Sequence, residues 1–155
     1  MQDYTPPIDD YRFLLEEVLE FDRAMSDLGK DVDASLAAAV LEEGGKFCAE
    51  RLHPLNREGD EHGSALVDGD VVVPPGFADA YRAFSEAGWP ALAADTAHGG
   101  QGLPFILQLW LDEMLSASNL SFGLFPGLTR GATEAIAAHA SDDLKARYLP
   151  PLVSG

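Results

Sequence analysis

The chain has a single cysteine, Cys48, among its 155 residues. One thiol cannot close an internal disulfide, and its apolar neighbours mark it as a buried group rather than a nucleophile. A reducing compartment is expected. Basic side chains are scarce as well: 10 Lys and Arg stand against 26 Asp and Glu, for a formal net charge of −16. Phosphate backbones and anionic lipid surfaces need clustered cations, so nucleic acid is excluded as a partner. Eighteen of the 26 carboxylates precede residue 71, spread out rather than run together, and they read as a solvated face. No apolar run approaches the ~20 residues of a bilayer span, and "MQDYTPPIDD" has neither a basic n-region nor an apolar h-region. A soluble, cytoplasmic protein without a membrane span is expected.

Familiar reaction centres are missing too. The histidines at 53, 62, 98 and 139 show no four-residue pairing and no cysteine at zinc spacing, so no metal site is expected. There is no G-x-S-x-G elbow, and the carboxylates suggest no acid/base pair. Gly100-x-Gly102 lacks the third glycine of a dinucleotide fingerprint, because position 105 is Phe, and "ALAADTA" before it is a poor buried strand. "DASL" at 33–36 reads as a helix cap.

What remains is a globular composition, 46% apolar and 23% charged, in a chain long enough to bury about 65 to 70% of its unfolded surface. After Pro6 and Pro7, the residues Tyr11, Leu14, Leu15, Val18, Phe21, Met25 and Leu28 recur at helical steps, with Asp9 or Asp10 as cap and Gly29 as stop. A second helix opens at Asp31 or Asp33 with Leu36, Val40, Phe47 and Leu52 on one stripe, weakened by Gly44-Gly45 and ended by Pro54. From Asn56 to Pro75 periodicity is lost, and the Asp68-Gly69 turn beside Val71, Val72 and Val73 suggests one small hairpin. Phe77, Ala80, Tyr81 and Phe84 mark a helix closed by Gly88.

The connection "GWPALAADTAHGGQGLP" follows, and Pro104 then starts a very apolar helix through Ser116. Asn119 or Ser121 caps a further helical region, interrupted near Phe125–Gly127 and resuming through Ala132, Ile136 and His139. Ser141 caps a short helix over "DLKARYLP", and "PPLVSG" reads as a turn into a next element, so a truncated chain is expected. The residues thus predict an all-α bundle of about six helices with a glycine-rich crossing loop and at most one small β-hairpin.

Five segments, in order, carry a resemblance: Gly88-Trp89, "GGQGLP" at 99–104, "DEMLSASNLSF" at 112–122, "TRGATEAIAAH" at 129–139 and "KARYLPPLVSG" at 145–155. Together they resemble the N-terminal helical domain of the flavin-dependent acyl-CoA dehydrogenases. "YTPPIDDYRFLL" and "HPLNREGDEHG" in the first half are similar to the long branch that includes the 3-methylmercaptopropionyl-CoA dehydrogenases. The resemblance implies an N-terminal helical extension over 1–55 and the family domain over 56–155, packed as one unit. It implies FAD in the full-length protein but not on this chain alone, and oxidation of an acyl-CoA to the 2,3-enoyl-CoA. The catalytic base is expected in an absent C-terminal domain, so no residue here is assigned as catalytic. An electron-transfer flavoprotein is the implied redox partner, and a homo-oligomer the implied assembly.

On that resemblance, a glycine crossing lets backbone approach a ligand closely, since glycine has no Cβ. Gly100, Gly102, Leu103 and Pro104, with Leu124, Phe125, Pro126, Gly127, Thr129 and Gly131, are expected to line the substrate pocket. The alternative is a freestanding acidic helical interaction module without catalysis.

Overall fold

The computed structural model describes residues 3–155. Helix α1 (Ile8–Phe13) follows Pro7, with Asp9 and Asp10 in its first turn rather than at its cap. It widens into a π turn over Leu14–Val18, and Glu20 then adopts a left-handed φ of 46° before α2 (Phe21–Asp27). The single amphipathic helix expected here is therefore two. Tyr11, Leu15, Phe21 and Met25 are buried, whereas the break turns Val18 and Leu28 to the surface. Gly29, with φ 65°, ends α2 as expected.

Helix α3 (Ala34–Phe47) is capped by Asp33, whose Oδ1 accepts from Leu36 N at 2.7 Å. Asp22 Oδ1 also accepts from Ala34 N, at 2.6 Å, tying α2 to the start of α3. Of the expected stripe, Leu52 is buried and Val40 and Phe47 are partly buried against the core, but the centre of the inward face lies one position further on. Leu36 is 47% exposed, and the inward face is Ala37, Ala38, Leu41, Gly44, Gly45, Cys48 and Leu52. Small residues face inward because neighbours approach closely: a Cβ on Gly45 would lie 2.8 Å from Pro6, and one on Gly44 3.1 Å from Leu111. The glycine pair is a packing face here rather than a weak point.

Pro54 does not end this helix. A π turn over Cys48–Leu52 leads into α4 (His53–His62), where Pro54 occupies the first turn, a place that needs no N–H. Helical structure therefore runs across position 55 and on to His62. Next, β1 (Ala65–Val67) and β2 (Asp70–Val72) form the expected antiparallel hairpin, with Leu66 opposite Val71. Asp68 and Gly69 both take positive φ, as a two-residue hairpin turn requires.

Helix α5 (Phe77–Glu86) buries Phe77, Ala80 and Phe84 and stops before left-handed Gly88. The crossing contains two short 3₁₀ turns, Trp89–Ala91 and Thr96–His98. Helix α6 spans Phe105–His139 and packs on α3, α4 and α7. Its break is at Asn119 (φ −158°, ψ 90°), where the cap of a further helical region was expected; the second interruption expected at Phe125–Gly127 does not occur, and Pro126 lies inside the second half. Helix α7 runs over Asp142–Ser154, so the residues read as a turn into a next element are its last turns. Pro150 and Pro151 are carried within it, where Leu149 and Val153 are buried. Ser141 occupies the cap position but its hydroxyl makes no capping hydrogen bond.

The core is one cluster running from Tyr11 and Leu15 through Leu41, Cys48 and Leu52 to Phe84, Leu107, Leu111, Met114 and Phe122. Tyr11 stacks on Trp110 at 4.9 Å, and Phe84 meets Phe122 edge-on at 5.6 Å. Segments on either side of residue 55 share this core.

Burial also sets the alkaline limit of stability. It pushes the Cys48 thiol from 9.0 up to about 12, against a smaller opposing contribution from the Ser118 hydroxyl. Burial also takes the Tyr4 phenol from 10.0 up to about 12, with Cys48 and Glu113 adding to the shift. Tyr11 moves in the same direction, through burial and then Glu113. Each shift favours the neutral form in the folded state, so the contribution is whole below pH 9 and is lost as pH rises toward 12. Thermal melts should hold level to pH about 8.5 and then fall, with Cys48→Ala flattening the fall. An unchanged melting temperature at pH about 11 would contradict this account.

Candidate functional site

The fold back of α6 builds the site. Arg130, on its second half, makes two parallel hydrogen-bonded contacts to Asp112 on its first half, Nη2 to Oδ2 at 2.6 Å and Nη1 to Oδ1 at 2.7 Å. This bidentate geometry fixes orientation as well as distance. Gln108 Nε2 donates to the same Asp112 Oδ1 at 3.0 Å, and Glu134 lies 3.8 Å from Arg130 Nε. The pair is partly buried, which protects it from screening by salt.

Beside this network lies a cleft of about 80 Å³, walled by Tyr81, Phe84, Phe105, Pro126 and Val153 with Gln108 and Arg130 on its polar side. Tyr81 and Thr129 are shared with an adjoining apolar groove that adds Val73, Phe77, Phe122 and Phe125. Two further hollows share lining residues with the cleft. Pro104 and Phe105 face Leu19 and Leu28 across one, and Gly102 faces Lys30 and Asp95 across the other.

The sequence-derived pocket residues thus divide. Pro126 and Thr129 line the cleft, Phe125 and Thr129 line the groove, and Pro104 lines neither but a hollow whose Phe105 also borders the cleft. Gly102 lines the polar hollow, and its carbonyl accepts from Lys30 Nζ at 3.0 Å. Leu103 is half-buried against the core, and Gly100 is pressed against Ala94. Leu124 is exposed, as is Leu128 beside it at 77%. Gly127 and Gly131 have open space where a side chain would begin. Gln108, Asp112 and Arg130 were not singled out from the sequence. Gln108 carried a signal as a polar residue inside the apolar run Phe105–Leu111, and Asp112 and Arg130 lie within two of the segments that carry the resemblance.

Among the described residues no group of three or more His, Cys, Asp and Glu side chains could hold a metal ion. No helix among them is long and apolar enough to cross a membrane.

Residues 37–155 match the family described as "Acyl-CoA dehydrogenase, N-terminal domain". The chain is 37% identical over 153 residues to a 3-methylmercaptopropionyl-CoA dehydrogenase of Ruegeria pomeroyi, covering 98% of this chain and 26% of that protein. It is 33% identical over 159 residues to a butyryl-CoA dehydrogenase of Syntrophomonas wolfei, covering 99% of this chain and 26% of that one. The chain therefore spans about a quarter of the length of these relatives. With the helical bundle, the small hairpin and the match over residues 37–155 in agreement, the chain belongs to the acyl-CoA dehydrogenase N-terminal domain family.

Proposed function

We propose that this chain is the N-terminal domain of an FAD-dependent acyl-CoA dehydrogenase, which oxidises an acyl-CoA to the 2,3-enoyl-CoA. In this reading the chain lines the acyl pocket and packs on the flavin domain. The observation that supports it is the apolar groove of Phe77, Tyr81, Phe122 and Phe125 leading into the cleft at Thr129, on a chain of this family. An alkyl chain gains by leaving water for such a surface, at about 0.8 kcal/mol per buried CH₂. The ten residues named from the sequence, Gly100, Gly102, Leu103, Pro104, Leu124, Phe125, Pro126, Gly127, Thr129 and Gly131, are proposed as part of the acyl-pocket wall, and Phe125, Pro126 and Thr129 are those that line the groove and cleft. Residues 1–55 are proposed as a helical extension packed with the family domain over 56–155.

FAD would accept the hydride leaving the β-carbon while a carboxylate takes the α-proton. Both groups are proposed to lie in polypeptide outside this chain. The residues here do not fit the flavin's pyrophosphate, because the cations that line the cleft and the hollows are engaged. Arg130 is held by Asp112, and Lys30 donates to the Gly102 carbonyl. They fit the wall of an acyl pocket, apolar along the groove. An electron-transfer flavoprotein, homo-oligomeric assembly and a cytoplasmic setting complete the reading.

The test is to read the native gene past codon 155 and express the polypeptide it encodes. A yellow flavoprotein that reduces an electron acceptor only when acyl-CoA is added is the expected result. A well-folded product of the relatives' length that binds no flavin would overturn the proposal.

A further inference from the structure

Gln108 is an unusual residue for its place. It is 4% exposed, on the innermost face of α6 and among aromatic and aliphatic neighbours. Its amide orientation is set by chemistry, because the Asp112 carboxylate can only accept, so Nε2 must face it at 3.0 Å. That leaves Oε1 on the opposite side of the amide, and Gln108 borders the cleft. Oε1 is not one of the fully enclosed polar atoms left without a partner, so it stays within reach of water at the cleft, and a group that displaces that water without bringing a donor leaves the oxygen unsatisfied. Nearby, Arg130 has five N–H donors, of which the two on the Asp112 side are engaged head-on, and Thr129 adds a hydroxyl at the rim. The polar side thus offers an acceptor beside donors, facing a wall of Tyr81, Phe84 and Phe105.

Volume limits what enters. A cavity of about 150 Å³ accommodates the six carbons of benzene, so the 80 Å³ here has room for about three or four non-hydrogen atoms. The groove that shares Tyr81 and Thr129 with the cleft provides a run of apolar contact leading to it.

We propose that the cleft receives the far end of the acyl group and selects ends that carry a neutral hydrogen-bond donor and acceptor together, as an amide or hydroxyl does, with Gln108 as the specificity-determining residue. The inference rests on the acyl-CoA reading above, which provides the acyl group. A purely alkyl end would leave Gln108 Oε1 unpaired, and a carboxylate end would meet Asp112 and Glu134 as like charges.

The selectivity can be tested on the 155-residue chain with acetamide and acetone, which share a size and differ by an NH₂ in place of a CH₃. In ¹⁵N-resolved NMR titrations, acetamide is expected to shift the Gln108 side-chain amide and the Thr129 backbone amide, with a dissociation constant no tighter than about tens of micromolar, the ceiling for four non-hydrogen atoms. Acetone is expected to bind about tenfold more weakly, and in Gln108→Met the two should converge. Equal shifts from both probes in the unaltered chain, or shifts that avoid Gln108, would overturn the inference even if the variant fails to fold. Failure of the parent reading is seen separately: selective acetamide binding alongside a flavin-free longer polypeptide would refute the dehydrogenase and leave the cleft's selectivity intact.

Discussion

Gly100→Ala should be among the most damaging single substitutions in this chain, lowering stability by about 3–5 kcal/mol. The crossing from Gly88 to Pro104 is held by a dense set of backbone bonds. Gly100 N donates to Asp95 O at 2.9 Å, Gln101 N to Ala91 O at 2.8 Å, Gly102 N to Ala94 O at 3.0 Å and Leu103 N to Leu92 O at 3.1 Å. A Cβ on Gly100 would overlap the carbonyl carbon and oxygen of Ala94, the same carbonyl that accepts from Gly102. A flexible side chain could swing aside, but a backbone carbonyl inside this ladder cannot. The loop must open, giving up several bonds worth about 1 kcal/mol each together with the packing of Leu92 and Leu103.

The neighbouring Gly99 is the control. It needs its left-handed φ of 89° but has open space around it, so Gly99→Ala should cost only about 1 kcal/mol. Chemical denaturation of the two variants separates close approach from backbone conformation. A Gly100→Ala protein within about 1 kcal/mol of the unaltered chain would refute the account of the crossing.

The second large effect belongs to Asn119. Its side chain is fully buried and serves two distant segments. Oδ1 accepts from Phe122 N at 3.0 Å, capping the second half of α6, while Nδ2 donates to Leu52 O at 3.1 Å at the end of the π turn. Phe122 is itself buried, so Asn119→Ala strands its N–H away from water and removes the second donor to the Leu52 carbonyl, which keeps its bond at the start of α4. The stranded N–H costs about 1–3 kcal/mol and the lost bond about 1, which puts the expected loss at about 3–4 kcal/mol with the cavity included.

Asn119→Asp divides the two roles. Its carboxylate keeps the cap but turns an acceptor toward the Leu52 carbonyl and buries a charge, so it should be as damaging as alanine near pH 7. Protonation restores an O–H donor to Leu52 O. The gap between Asn119→Asp and the unaltered protein should therefore narrow as pH falls, since the raised carboxyl is neutral sooner in the folded state. A gap that stays constant with pH would show that Leu52 does not need this donor.

Asn119 also shows what was legible beforehand. Its cap was readable, because an asparagine before a helical pattern needs only residues three positions away. The helix boundary it marks was readable for the same reason, but its bond to a carbonyl 67 residues earlier in the chain was not. The proline at 126 drew attention as a second break, yet within a packed helix a missing N–H removes one bond and the neighbours hold the rest. The same limit displaced the stripe on α3. Hydrophobicity singled out Leu36, Val40 and Phe47, whereas close contact with Leu111 and Pro6 gave the inward face to alanine and glycine.

The sequence by itself determined the helical class, the Asp68-Gly69 hairpin, the helix ends at Gly29 and Gly88, the helix start after Pro104 and the family, because each is written in residues a few positions apart. Only the tertiary structure decided that α6 breaks at Asn119 and not again at Pro126, that α3 passes through a π turn into α4, and that Gln108, Asp112 and Arg130 meet beside Pro126 and Thr129. Those arrangements depend on partners 18 to 67 residues apart, and pairing at such distances is set by which surfaces are buried together, a quantity that local periodicity does not contain.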